Sequence, residues 1–430
     1  MSKKIRYSLI AFGFLIFLVL APFLVMYVGG WVYDKPTKKF VKTGILAIKT
    51  DPADAQIEVD GKTSFSTSGN IKFLRPEEYK LKISKDGYFS WEKKLPVFQN
   101  HVTWASPAGG KIFLLKTTGE NKILAEKVLD FWQNSNSLVF LQKNNLTFLD
   151  KNGKLTKEWK LTDPAQKLLV SPDGKTFILL PENPKNSTAL IPDSQNEIMY
   201  LKNLGADVKF QFSPDNSVYF LKQKNLFVLN KPFQVEKKIA SSVLSFSFSN
   251  KTLYYIDTNR LGKANFYAAD MDGKNSEILA EDLPFFQTSQ IFSNFEKEIF
   301  LLLDTTMFKV NGQNLEKLAS DVSFWQTQSQ NSSIVFSRGG EINFYNPFKK
   351  TIDFVSRSSE QISFPILNME INYAFASVNN KIQALELDTR NRQNIFELYS
   401  GKQISKFTVS SDNKEMFVLD EGILKKISIR

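Results

Sequence analysis

The chain of 430 residues holds one histidine, His101, and no cysteine. A Ser-His-Asp triad needs an imidazole between nucleophile and acid, and a histidine metal site needs at least two rings. His101 lies beside Trp104 and reads as a packed or exposed loop residue. Carboxylates are the remaining source of chemistry, with 44 in the chain. A glycosidase pair would need two of them facing each other across a cleft, about 5–10 Å apart. Asp173, Asp215 and Asp412 follow Ser-Pro or Ser-Ser, a context in which the side chain caps its own tight turn. Asp150, Asp193 and Asp270 close apolar strands; a cation-binding rim is conceivable, and turn termination is the simpler reading. Trp132, Trp159 and Trp325 are core residues first and carbohydrate-stacking residues second. Trp132 and Trp325 sit in similar contexts, Asp130-Phe131-Trp132-Gln133 and Ser323-Phe324-Trp325-Gln326, which points to a structural role. Dinucleotide, P-loop and EF-hand patterns are missing. No catalytic residue, metal ligand or cofactor site is assigned, no binding residue is named, and a non-enzyme is expected.

The elements that must position any site are β-strands. The chain is 42% hydrophobic and 13% aromatic with 38 Phe, a load that favours sheets. Absence of cysteine excludes disulfides and thiolate metal sites. The net charge of +11 allows affinity for anionic surfaces, but the lysines are scattered, which fits solubility and edge protection. Specific nucleic-acid binding is not expected.

From residue 117 to 430 the chain repeats. Asn145–Asp150, Asn225–Asn230, Glu341–Asn346 and the end of Lys381–Asp388 are related apolar strands closing in Asp or Asn. With Asp193, Asp270 and Asn311 the closing residues fall 43, 37, 40, 41, 35 and 42 residues apart. A period near 40 marks a repeat array, and four short strands per unit is the content of a propeller blade. Turns such as Phe210-Gln211-Phe212-Ser213-Pro214-Asp215 are similar to those of the TolB and WD40-like propellers, without the Gly-His and Trp-Asp signature of true WD40 repeats. Eight blades are expected, with seven as the alternative. The last unit, Ile404 to Arg430, has room for three strands; Lys122–Glu126 resembles the outer strands at Glu277–Glu281 and Glu316–Ala319 and is the expected closing strand.

Ahead of the array, Tyr7–Tyr33 carries no charge for 27 positions. About 20 apolar residues span a bilayer, so an uncleaved signal anchor is expected within residues 1–34, followed by a linker at 35–42. Pro22 and Gly29-Gly30 are tolerated in such helices, and Trp31 and Tyr33 suit the headgroup level. Lys3, Lys4 and Arg6 favour a cytoplasmic N-terminus and an extracytoplasmic bulk; Lys35, Lys38, Lys39 and Lys42 blunt that bias.

Residues 43–116 alternate apolar and polar positions between turns. Strands are expected around Ile45–Ile48, Ile57–Val59, Asn70–Leu74, Tyr79–Ser84 and Trp91–Pro96, with turns at Asp60-Gly61 and Asp86-Gly87. Pro52-Ala53-Asp54-Ala55, Ile57-Glu58-Val59-Asp60-Gly61-Lys62, Tyr79–Lys85 and Gly87-Tyr88 resemble the PEGA domain, a small β-sandwich-like module. Ser66-Thr67-Ser68-Gly69 stands where that family has Gly-Thr-Pro, and Glu77-Glu78 replaces its usual glycine. The resemblance implies a spacer or binding module without catalysis. The expected protein is mainly β: a membrane helix, a PEGA-like domain and a propeller. Its expected partners are the bilayer through residues 7–33 and an unidentified envelope protein or polysaccharide. Two other roles stay open: a propeller hydrolase or lyase acting on envelope glycans, and a cytoplasm-facing, membrane-tethered platform.

Overall fold

The computed structural model describes residues 3–65, 68–117, 121–183, 188–192, 198–201, 208–230, 235–258, 262–294, 296–327 and 332–430. Contacts divide the chain into two compact units. One is Met1–Thr118 with Glu370–Tyr373 and Glu386–Phe396; the other holds the remaining residues. The boundary expected at residue 117 therefore leaves out two later segments that join the first unit.

The first unit begins with helix α1, Lys3–Val28, which runs through Pro22. Its segment Ile5–Val28 has a mean hydropathy of 2.8 and is long and apolar enough to cross a membrane. The helix stops short of the expected Tyr33. Gly30 adopts φ 75°, and its N–H bonds the Tyr27 carbonyl. A left-handed glycine closes a helix, and a charge-free run gives no warning of it. Strand β1, Trp31–Asp34, then pairs antiparallel with β2, Lys39–Lys42. Residues 35–42, read as a linker, are thus the turn and second strand of a hairpin.

The small domain follows. One sheet has the order Lys62–Phe65, Gln56–Val59, Glu78–Ser84, Trp91–Pro96. A second has the order Val102–Trp104, Gly44–Ile48, Gly69–Leu74. Alternation aims Ile57, Leu81, Ile83, Trp91 and Leu95 at Leu46 and Ile48 in a common core. Burying each such side chain contributes roughly 1.5–3 kcal/mol. Ile112–Phe113 pairs in parallel with Thr50–Asp51 and so belongs to this domain.

The propeller contains eight four-stranded antiparallel sheets among the described residues. Numbered by their inner strands, blades 1 to 8 begin at Val128, Ala165, Lys209, Val243, Ser289, Val322, Ile362 and Ile404. In blades 1 to 7 the strands run in sequence order from inner to outer. In blade 8 the outer strand is Asn121–Ala125, which pairs antiparallel with Ile423–Ser428.

Second strands such as Leu138–Leu141 and Ile299–Leu303 are continuously apolar because both faces meet another blade. Cores accordingly form between neighbours: Val139 and Leu146 with Leu168 and Phe177, and Ile256 and Phe266 with Leu301. Val128, Phe131 and Phe140 meet Phe417 and Leu424 and close the ring from blade 8 to blade 1.

Two local devices recur. The first is a register shift near the start of the inner strand, after Val128, Ala165, Val243, Val322 and Ile404. Such a bulge re-aims the side chains that follow it. The second is the turn between first and second strands. Gly174, Asn216, Lys297 and Asn413 occupy its fourth position with φ of 72°, 64°, 65° and 59°. Each bonds back to the carbonyl three residues earlier.

Candidate binding cavity

Counting from the bulge, or back four residues from the following turn, selects one position on each inner strand. Its occupants are Asp130, Lys167, Lys209, Ser245, Gln290, Phe324, Phe364 and Lys406. Their chemistry divides the ring into three arcs. Blades 8 and 1 meet in an ion pair, Lys406 Nζ to Asp130 Oδ1 at 2.7 Å, and Asp130 Oδ2 accepts the Leu168 N–H at 3.0 Å. Blades 6 and 7 contribute Phe324 and Phe364, ring centroids 5.1 Å apart. Blades 2 to 5 contribute two lysines, a serine and a glutamine.

That polar arc opens into a cavity of about 470 Å³, lined by residues from the inner strands of five consecutive blades. Lys167 and Lys209 are exposed and have no ion pair among the described residues. Gln211 reaches Ser247 Oγ at 3.2 Å, and the Ser289 hydroxyl donates to Ser245 Oγ at 2.9 Å. The indole of Trp325 stacks on Phe292 with centroids 3.8 Å apart and donates its N–H to Gln290 Oε1 at 3.1 Å. An indole fixed on both its backing and its edge is a rigid platform. Among the described residues no carboxylate lines this cavity. The arrangement offers ammonium donors, amides, hydroxyls and the aromatic rings of Phe210, Phe246 and Trp325, a set suited to an anionic or hydroxyl-rich ligand.

The residues singled out from sequence lie elsewhere, Trp325 excepted. His101 is exposed, with Nδ1 2.7 Å from the Gln99 carbonyl oxygen. Asp173, Asp215 and Asp412 cap their own turns, accepting the hydroxyls of Ser171, Ser213 and Ser410. The Ser213 hydroxyl holds the Asp215 carboxyl below its usual value. Asp150 accepts the N–H groups of Asn152 and Lys154, and Asp270 accepts Asn275 Nδ2. Asp193 lies outside the described residues. Asp150 and Asp412 do line one cavity, of about 390 Å³, between blades 8 and 1, together with Lys122, Lys151, Lys414 and Lys426. Among the described residues no group of three or more His, Asp or Glu is placed to hold a metal ion.

The sequence alignment of Trp132 with Trp325 is corrected by register. Counting from the bulges after Val128 and Val322, Trp325 matches Phe131, and Trp132 matches Gln326. A slip of one residue puts a side chain on the opposite face of a strand. Trp132 and Trp159 therefore pack between blades 1 and 2, while Trp325 packs against the core between blades 5 and 6 and also borders the cavity. Lys167, Lys209, Gln211 and Gln290 were not recognised, because polar residues in an alternating strand read as ordinary solvent-facing positions.

Residues 43–108 match the PEGA domain. No curated protein matches the chain. Among solved structures, one described as a eukaryotic initiation factor is similar at a TM-score of 0.52 and 10% identity, covering 71% of this chain and 86% of its own. The Dos1 propeller is similar at 0.52 and 10% identity, covering 73% and 95%. A streptogramin B lyase structure is similar at 0.46 and 12% identity, covering 73% and 97%. At these identities the likeness is one of fold alone. The chain thus joins an apolar N-terminal helix and a PEGA domain to an eight-bladed β-propeller.

Proposed function

We propose that this protein is a non-catalytic binding protein of the cell envelope, tethered by α1 and presenting its propeller to an anionic segment of an envelope polysaccharide. The N-terminus is cytoplasmic and the bulk extracytoplasmic, with the PEGA domain as spacer. The cavity of the inner strands carries this reading: Lys167 and Lys209 meet negative charge while Trp325 offers a stacking face beside the Gln290 amide. A glycan hydrolase or lyase would need acid–base carboxylates across the cleft. The one carboxylate of the inner ring, Asp130, is held by Lys406 and a backbone N–H.

The test is calorimetric titration of full-length protein with uronic-acid and phosphodiester glycans, neutral glycans and acidic peptides. Saturable binding of anionic glycans, lost in Trp325→Ala and Lys209→Glu, supports the proposal. Preference for acidic peptides would move it to a protein partner, and cleavage of a glycan would replace it with an enzyme. One observation favours a cytoplasm-facing platform instead: Lys35, Lys38, Lys39 and Lys42 follow the helix. A periplasmic reporter fused after Arg430 that stays inactive would select that orientation.

A further inference from the structure

The β1–β2 hairpin has two unlike faces. Cross-strand pairs place Trp31 opposite Lys42 and Tyr33 opposite Phe40 on one face. The rings of Tyr33 and Phe40 meet edge to face at 5.4 Å, and Lys42 Nζ sits 5.3 Å over the Trp31 ring. This face is open: Tyr33 is 48% and Phe40 45% exposed. The other face carries Val32 opposite Val41 and Asp34 opposite Lys39. The hairpin's one acid, Asp34, is buried and held by Thr37 and by Arg75 NH1 at 2.9 Å. Lys35, Lys38 and Lys39 are exposed without ion pairs among the described residues. The acid is therefore neutralised inward, while the aromatic pair and Lys42 lie on the open face and Lys35 and Lys38 stand exposed in the turn.

The hairpin is also fixed in place at the end of α1. The Thr43 N–H and hydroxyl both donate to the Gly30 carbonyl, at 2.9 and 2.7 Å. Tyr27, in the last turn of α1, stacks on Phe73 of the small domain at 5.0 Å. Phe73 holds φ 60°, an uncommon conformation for an aromatic residue, and is itself 38% exposed next to Lys72. Two strands alone are marginally stable in water, and an aromatic face left in solvent adds nothing to them. At the end of a membrane helix the same face has a natural partner. Aromatic rings favour the headgroup level, and clustered lysines attract anionic lipid.

We propose that the β1–β2 hairpin is a second membrane contact. It lies flat on the bilayer that α1 crosses, with Tyr33 and Phe40 among the headgroups and Lys42 and the turn lysines Lys35 and Lys38 on anionic lipid phosphates. The inference rests on the anchor reading of α1 and adds a surface which that reading does not require.

The absence of cysteine makes the test clean, because one introduced cysteine is unique. Full-length Phe40→Cys, labelled with a polarity-sensitive dye, is placed in nanodiscs of phosphatidylcholine with or without phosphatidylglycerol. Quenchers sit on the lipid either near the headgroup or at the acyl terminus. A Leu15→Cys label reports the anchor separately. The proposal expects the Phe40→Cys label to be quenched from the headgroup position and the Leu15→Cys label from the acyl terminus. It expects headgroup quenching to fall roughly twofold or more without phosphatidylglycerol, or when Lys35 and Lys38 are changed to Glu. A Phe40→Cys label unquenched at either depth while the Leu15→Cys label is quenched overturns the hairpin contact and leaves the anchor standing. An unquenched Leu15→Cys label removes the anchor and this contact with it. Quenching indifferent to lipid charge and to the lysine reversals overturns the anionic-lipid assignment. Energy transfer between hairpins of two copies, without lipid quenching, overturns it in favour of self-association.

Discussion

Lys93 Nζ lies 3.1 Å from Glu386 Oε2, with both side chains withdrawn from solvent. The same ammonium donates to the carbonyls of Asp388 at 2.7 Å and Arg392 at 2.6 Å. Glu386 accepts the Trp91 indole N–H at 2.8 Å and Asn394 Nδ2 at 2.7 Å. Burial pushes the Glu386 carboxyl above its usual range, against the pull of Lys93 and these donors. Every participant is matched, so the cluster tolerates burial only while it is whole.

Removing one partner strands the other as a buried charge. Lys93→Met is expected to cost about 3 kcal/mol or more in the first unit. Adding Glu386→Gln should recover part of that loss. Urea unfolding of the four members of the cycle, followed by near-ultraviolet dichroism, checks it. Additive costs would show that the two side chains do not act as a pair.

The cavity prediction concerns charge. Hydrogen bonds to charged groups are worth roughly 1.5–3 kcal/mol, so replacing Lys167 or Lys209 by Met should weaken an anionic ligand about tenfold each. Trp325→Ala should weaken it without altering the salt dependence, whereas the lysine changes should flatten that dependence. Asp412→Asn, at the cavity between blades 8 and 1, should leave affinity unchanged. Titrations at two ionic strengths separate these outcomes.

A pH-dependent contribution comes from Asp420. Burial opposes its ionisation, but the Tyr399 hydroxyl, the Gln403 and Lys402 N–H groups and Lys425 outweigh it and hold the carboxyl at about 2, from 3.8. A depressed acid stabilises the folded state above its unfolded value, and the gain fades as pH falls. The shift corresponds to about 2 kcal/mol, present above about pH 4 and lost toward pH 2. The stability gap between the native chain and Asp420→Asn should therefore narrow across that window. A gap constant from pH 6 to 2 would refute the assignment.

Gly174 is the one glycine at the fourth position of its turn family. A Cβ there would meet the Trp132 ring at 2.9 Å, and its φ is 72°. Gly174→Ala should cost about 1–2 kcal/mol. Asn216→Gly, at the equivalent residue of blade 3, should cost less, because glycine adopts φ 64° freely and only the exposed bond from the Asp173 N–H to Asn216 Oδ1 at 3.2 Å is lost. Thermal midpoints of the two variants decide the comparison.

Eight blades were legible because successive units repeat the same order of apolar strand, turn and strand, closed by Asp or Asn in all but the last, and that order follows from sheet chemistry. The PEGA domain was legible from its Asp-Gly turns and the alternation around Tyr79–Ser84. The helix end was not, since Gly29-Gly30 stops α1 without any change of charge. The cavity was less legible still. Its lining depends on a bulge that shifts the inner strand by one residue, and no composition signal marks where the extra residue sits. Lys93 carried a sign that went unread: alternation puts it on the same face as Trp91 and Leu95, where a lysine needs buried acceptors.

The pairing of Asn121–Ala125 with Ile423–Ser428 has a consequence in time. Roughly 300 residues must be synthesised between the two strands, and at about 5–20 residues per second the earlier strand waits tens of seconds for its mate. Throughout that wait it offers free N–H and carbonyl groups to any passing edge, including that of a sister chain. Lys122, within it, and Lys127, just beyond, keep that waiting segment charged until the ring can shut.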